Sequence, residues 1–194
     1  MHHPLVQPAL LAVASLLVAA AACAAGPPGR CVITVGGKAL DPATHAIIIP
    51  EQPTPQEQHA AEDLANHVER MTGKRLPVAA ESQLGEKTPI VVGKCAATLK
   101  ALGVAVDFDA LGIEGIAIET KGPALVLAGN QRGVLYAVYT FLEDYGDCRW
   151  FTPDCSRIPK SGTFAVADLK VRYTPPLEYR STDYPCSRDA DWAV

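Results

Sequence analysis

"LAGNQRGVLYAVYTFLE", residues 127–143, decides how the chain folds. An apolar strand runs into Gly-Asn, Arg-Gly follows, and an aromatic-rich helix starts at once, running from about Gly133 to Tyr145, where Gly146 stops it. Val134, Leu135, Val138, Phe141, Leu142 and Tyr145 form a stripe wider than a surface helix needs, so one face is deeply buried against a sheet. At the joint, Gly129 allows torsions that a side chain would forbid, Asn130 suits an N-cap, and Gly133 lets helix and strand approach closely. Arg132 is left over. One reading places an anion at this helix N-terminus, held by free N–H groups and the guanidinium. Glycine-rich phosphate loops carry more glycines at fixed spacing, which favours a structural joint instead. Tyr136, Tyr139 and Glu143 share another helical face, as a core edge or as a docking surface for a neighbouring domain.

Outward from this joint, "EGIAIET" and "PALVLAG" read as strands joined near Lys121-Gly122 in a hairpin. "CVITV" and "HAIIIP" are short β-branched runs, two strands with a hairpin as one way of joining them. In "TPQEQHAAEDLANHVERMTG", Thr54 is placed as N-cap, Pro55 as first helical residue and Glu57 as the return partner of a capping box. Ala60, Ala61, Leu64, Val68 and Met71 line one face, and Gly73 ends the helix. "RLPVAA" and "PIVVG" are further strands, the second entered at Pro89 where no ladder donor is needed. "CAATLKALG" reads as a short helix, "CRWFTP" as a strand or extended loop, and "FAVADLKVRY" as an edge strand. The fold class that follows is α+β: a small α/β sandwich, with a mixed sheet and two main helices packed on a face.

Composition bounds the function. The formal charge is −4 with no basic run, which excludes a phosphate backbone as partner. Residues 9–25, "ALLAVASLLVAAAACAA", are too short for a membrane span and close in small residues, so residues 1–25 read as a signal peptide and the mature chain as secreted or periplasmic. Ala20-Ala21-Ala22 before Cys23 also fits a lipoprotein signal lacking its usual leucine; only lipidation of Cys23 would bring the chain to a membrane. The remaining cysteines, Cys31, Cys95, Cys148, Cys155 and Cys186, are odd in number. Cys148 and Cys155 either clamp the loop around "RWFTPD" as a disulfide or remain unpaired, partly buried thiols.

No cofactor is implied. His59, Asp63 and His67 recur every four residues, but the order of a zinc hydrolase helix is missing, and they read as solvated side chains rather than metal ligands. "VVGKCAAT" lacks the first glycine of a Walker loop, since Thr88 stands there, and no serine sits in G-x-S-x-G. Asp107 with Asp109, and Asp189 with Asp191, look like turn and cap residues. Trp150 and Phe151 either stack on a sugar face or belong to the core.

Across "IIIPEQPTPQEQHAAEDLANHVERMTGKRLPV", "PIVVGKCAAT" and "GNQRGVLYAVYTFLEDYGDCRWFTP", residues 31–172 resemble the N-terminal domain of α-glucuronidase-like glycoside hydrolases. The same domain type precedes the barrel, as the second domain, in β-N-acetylhexosaminidases. The resemblance implies a small α/β sandwich that is not itself catalytic and sits ahead of a (β/α)8 barrel carrying the acid and the base or nucleophile. Residues 175–194 would then begin a truncated barrel, and Arg180, after "PPLEY", would stand where such barrels grip sugar hydroxyls. The expected function is therefore that of a non-catalytic domain in carbohydrate metabolism, meeting oligosaccharide through a barrel missing from this chain. A free-standing carbohydrate-binding or surface lipoprotein module, using Trp150, Phe151 and Arg132 as contacts, is the alternative. Whether the chain is an enzyme is left open by this resemblance, because the two carboxyl groups of glycoside hydrolysis would lie beyond Val194.

Overall fold

A computed structural model describes residues 31–177. The hydrophobic pattern of the central strands explains the architecture. β3 (His45–Ile49), β5 (Thr88–Val92), β6 (Ile116–Lys121) and β7 (Ala124–Gly129) are near-continuous apolar runs. Such runs belong to strands buried on both faces. Successive side chains alternate: Ile47, Ile90, Ile118, Leu125 and Leu127 join one core, while Ala46, Ile48, Val91, Val126 and Ala128 join the other.

These strands, with β4 (Val78–Ala80) and β11 (Lys170–Tyr173), form a six-stranded mixed sheet in the order β11-β6-β7-β5-β3-β4. The β7-β5-β3-β4 half is parallel and the β11-β6-β7 half antiparallel. On one face lie α1 (Pro55–Thr72) and α4 (Gln131–Asp144); on the other lie the short α2 (Ala96–Leu102) and α3 (Phe108–Leu111). The α+β class and the two main helices therefore stand, with a second helical layer that periodicity alone does not reveal. Among the described residues no helix is long and apolar enough to cross a membrane.

The capping box of α1 is formed in full: Glu57 N donates to Thr54 Oγ1 at 3.2 Å and Thr54 N donates to Glu57 Oε2 at 2.9 Å. Gly73 ends the helix in the left-handed region with φ 76°. Pro89 lies opposite Ala46, while β7 pairs with β5 only from Ile90 onward, so the missing donor falls at the open start of the strand. α2 ends at Gly103 as its sequence predicts.

One expectation is corrected and two open alternatives are decided. β1 (Val32–Val35) forms no hairpin with β3; it pairs with β2 (Lys38–Ala39) and, in parallel, with β10 (Thr163–Val166), in a separate three-stranded sheet. "FAVADLKVRY" is two strands rather than one. Asp168, at φ 55°, turns the chain between them, sending β10 to the small sheet and β11 to the edge of the large one. Cys148 and Cys155 are free thiols: Cys148 is buried against Met71, whereas Cys155 is exposed in β9 (Cys155–Arg157), which pairs with β8 (Arg149–Thr152). Burial pushes the Cys148 thiol up to about 12, so it stays protonated and unreactive.

Candidate functional site

The strand-to-helix joint is built by close backbone approach. A Cβ at Gly133 would lie under 3.0 Å from the Gly115 carbonyl oxygen, and one at Gly129 equally close to the Gly133 carbonyl group. Gly129 is thus needed for space and not for a left-handed torsion; the positive φ at this joint belongs to Gln131, at 36°. Asn130 occupies the N-cap position without a side-chain cap bond. Its Nδ2 donates instead to Phe108 O at 2.5 Å and to Gly112 O at 2.7 Å, tying α4 to both ends of α3.

Arg132 projects from the first turn of α4 and meets Glu114 at 2.8 Å. That pairing neutralises the guanidinium on which an anion site would depend. The pair lies between two adjoining clefts where the chain leaves β11. One, of about 610 Å³, is lined by Ile113, Thr174, Pro175, Pro176 and Leu177 among others. The second, of about 460 Å³, takes in Tyr136, Tyr139, Thr140, Glu143 and Tyr173. Tyr136, Tyr139 and Glu143 therefore share one wall, as their helical spacing implies.

Tyr139 also reaches across to α1. Its hydroxyl donates to Asp63 Oδ2 at 2.7 Å, and the same oxygen lies 3.3 Å from His59 Nε2. Burial, then the hydrogen bond and charge of Asp63, push the Tyr139 phenol up, so it remains a donor. His67 is buried and turns its Nδ1 to the Asp63 carbonyl at 2.7 Å, its ring meeting Trp150 edge-on at 5.4 Å. Burial holds the His67 imidazole below its ordinary value, hence neutral at pH 7. His59 and His67 thus both turn to Asp63, one to its carboxylate and the other to its backbone carbonyl, and His67 is buried rather than solvated; among the described residues no group of three or more His, Cys, Asp or Glu is arranged to hold a metal.

Trp150 stacks edge-on to Tyr139 at 5.0 Å as well, which makes it the lid of an aromatic cluster between α1 and α4. It touches Tyr139 without lining the clefts, so the structure does not bring Trp150 and Arg132 into one binding surface. Phe151, next in β8, is 59% exposed. Arg180 and Cys23 lie outside the described residues. Sequence reasoning missed the Asp63–Tyr139–His67–Trp150 assembly. The i, i+4 spacing showed that Asp63 and His67 are neighbours, but nothing in the sequence shows which side chain of α4 meets them.

Compared with known families, residues 37–141 match the model described as the glycosyl hydrolase family 67 N-terminus, more than half of the 194 residues. Among solved structures, a mutant Streptomyces plicatus beta-hexosaminidase in complex with its product GlcNAc is similar at 16% identity, with a TM-score of 0.46, over 79% of this chain and 25% of that one. The chain thus spans about a quarter of the length of that protein. No curated protein matches it.

Proposed function

The chain belongs to the family of glycosyl hydrolase family 67 N-terminal domains, and from that membership we propose that it is the non-catalytic leading domain of an exported carbohydrate-active enzyme whose hydrolytic barrel follows it. The observation that carries this reading is the use of its buried carboxylates. Glycoside hydrolysis needs two carboxyl groups free to flank a scissile bond. Among the described residues the buried carboxylates are Glu57 and Glu119. Glu57 accepts from Thr54 N and from Lys94 N at 3.0 Å. Glu119 accepts from Arg172 at 2.5 Å and pairs with Lys121 at 3.1 Å. Both are engaged by the fold, and the carboxylates that line the two clefts are ion-paired, Glu114 with Arg132 at 2.8 Å and Glu143 with Arg149 at 3.7 Å.

The face where the chain leaves β11 supports the same reading. Ile113, Tyr173 and Leu177, which are 47%, 50% and 62% exposed, are three large apolar side chains gathered around the two clefts. An apolar surface rimmed by an ion pair such as Arg132–Glu114 suits a packed domain neighbour. In this reading Tyr136 and Tyr139 look toward the barrel, Arg180 meets sugar hydroxyls, and residues 1–25 direct export. Lipidation of Cys23 would add a membrane anchor.

The test is the reading frame downstream of Val194. It is expected to continue into alternating strands and helices with a pair of inward-facing carboxylates. A stop codon followed by unrelated sequence would overturn the reading in favour of a free-standing module.

A further inference from the structure

The carboxyl ends of the parallel strands carry a second feature, which meets the face just described at Gly112 and Ile113. β3 leads into α1 on one side of the sheet, while its neighbour β5 leads into α2 on the other. Adjacent strands whose connections depart to opposite faces leave a crevice between their carboxyl ends, and in open α/β sheets that is where ligands sit. A groove of about 500 Å³ lies here, and each of three strands supplies a wall: Gln52 and Glu57 follow β3, Lys94 follows β5, and Asn130 and Gln131 follow β7.

The chemistry of these walls narrows the ligand. Glu57, 6% exposed, is locked by its bonds to Thr54 and Lys94 N, so it gives the groove a fixed negative wall. Asp109 adds a second carboxylate, against the single ammonium of Lys94, which is held 4.9 Å above the Phe108 ring. That balance disfavours an anion. Asn130 cannot turn, because both of its donor bonds go to carbonyls, and its Oδ1 is buried with no donor. Gln52 and Gln131 each offer a donor and an acceptor, and Pro50 with the exposed Ile113 offers apolar surface. Groups that both donate and accept, carried on a ring with C–H faces, match this set.

We propose that this groove binds a neutral saccharide, as a subsite separate from any catalytic barrel. The proposal rests on the carbohydrate-active reading for its ligand class and on the strand topology for its position.

The full 194-residue chain, titrated with xylo-, cello- and chito-oligosaccharides, is expected to show saturable 1H–15N shifts at Gln52, Lys94, Asn130 and Gln131 with at least one of the three. Lys94→Ala and Gln131→Ala should each weaken Kd about three- to tenfold, the scale of one lost hydrogen bond, with Tm unchanged. Spectra unmoved by all three sugars, shifts centred on Trp150 and Phe151, or equal shifts with inorganic phosphate would overturn the proposal. The scaffold reading fails separately. A silent groove on a chain whose frame continues into a barrel refutes the groove alone, and a sugar-filled groove on a chain whose frame stops refutes the scaffold alone.

Discussion

Gly133→Val is expected to destabilise the domain by about 3 kcal/mol or more, lowering Tm by roughly 10 °C for a fold of this size. The collision is with backbone. The new Cβ would lie under 3.0 Å from the Gly115 carbonyl oxygen, just before β6, and the Gly133 amide bonds to Ile113 O at 3.1 Å, so neither partner can swing away as a side chain would. Since the first carbon does the damage, Gly133→Ala should lose most of the same stability. Thermal melts followed by circular dichroism check both. A variant that melts within about 2 °C of the parent would show that the joint is not the pin described here.

Arg172→Ala is expected to be the most damaging single change at the sheet edge, destabilising by about 2–4 kcal/mol. It strands the carboxylate of Glu119, 5% exposed, with only Lys121 beside it; the lower end of the range reflects that remaining partner and an Arg172 side chain that is 30% exposed. Burial by itself would push the Glu119 carboxyl up, but the hydrogen bonds from Arg172 and Lys121 outweigh it and hold the group below the usual carboxylate value. A depressed folded value means that this contribution is complete above the unfolded value of about 4.3 and is lost as pH falls through the folded one. Without Arg172 only Lys121 opposes the burial, so the folded value rises and acid unfolding should begin at higher pH than in the parent. Urea unfolding at pH 7 and pH 4 measures both effects. Adding Glu119→Gln should recover part of the pH 7 loss, because the buried charge goes with its partner; a double variant no better than the single would argue that Arg172 acts through packing alone.

The local signals in the sequence were strong enough to place most elements. Thr54, Pro55 and Glu57 define the start of α1 because the capping box is completed within four residues. The stripe of α4 points to its buried face because helical spacing alone puts Val134, Val138, Phe141 and Leu142 together. Pairing over long separations was not legible. β1 joins β10 through Val32 opposite Thr163, and no local pattern distinguishes that partner from β3. The break at Asp168 was hidden because aspartate in a left-handed turn leaves no glycine to mark it. At the candidate site the outward tyrosines and Arg132 were found, yet the Glu114 partner that silences the guanidinium sits in a loop 18 positions earlier. Asn130 was read as a cap from its residue type, whereas its amide is drawn off by two carbonyls that only the folded loop brings within reach.

The central claim is that sugar-cleaving chemistry belongs to a domain these residues support. It is tested most directly by offering the purified 194-residue chain a panel of aryl glycosides and following release of the phenol. The account predicts no release above the buffer rate for any of them. Steady turnover, abolished by one carboxylate substitution such as Glu114→Gln in a variant that still melts like the parent, would contradict it.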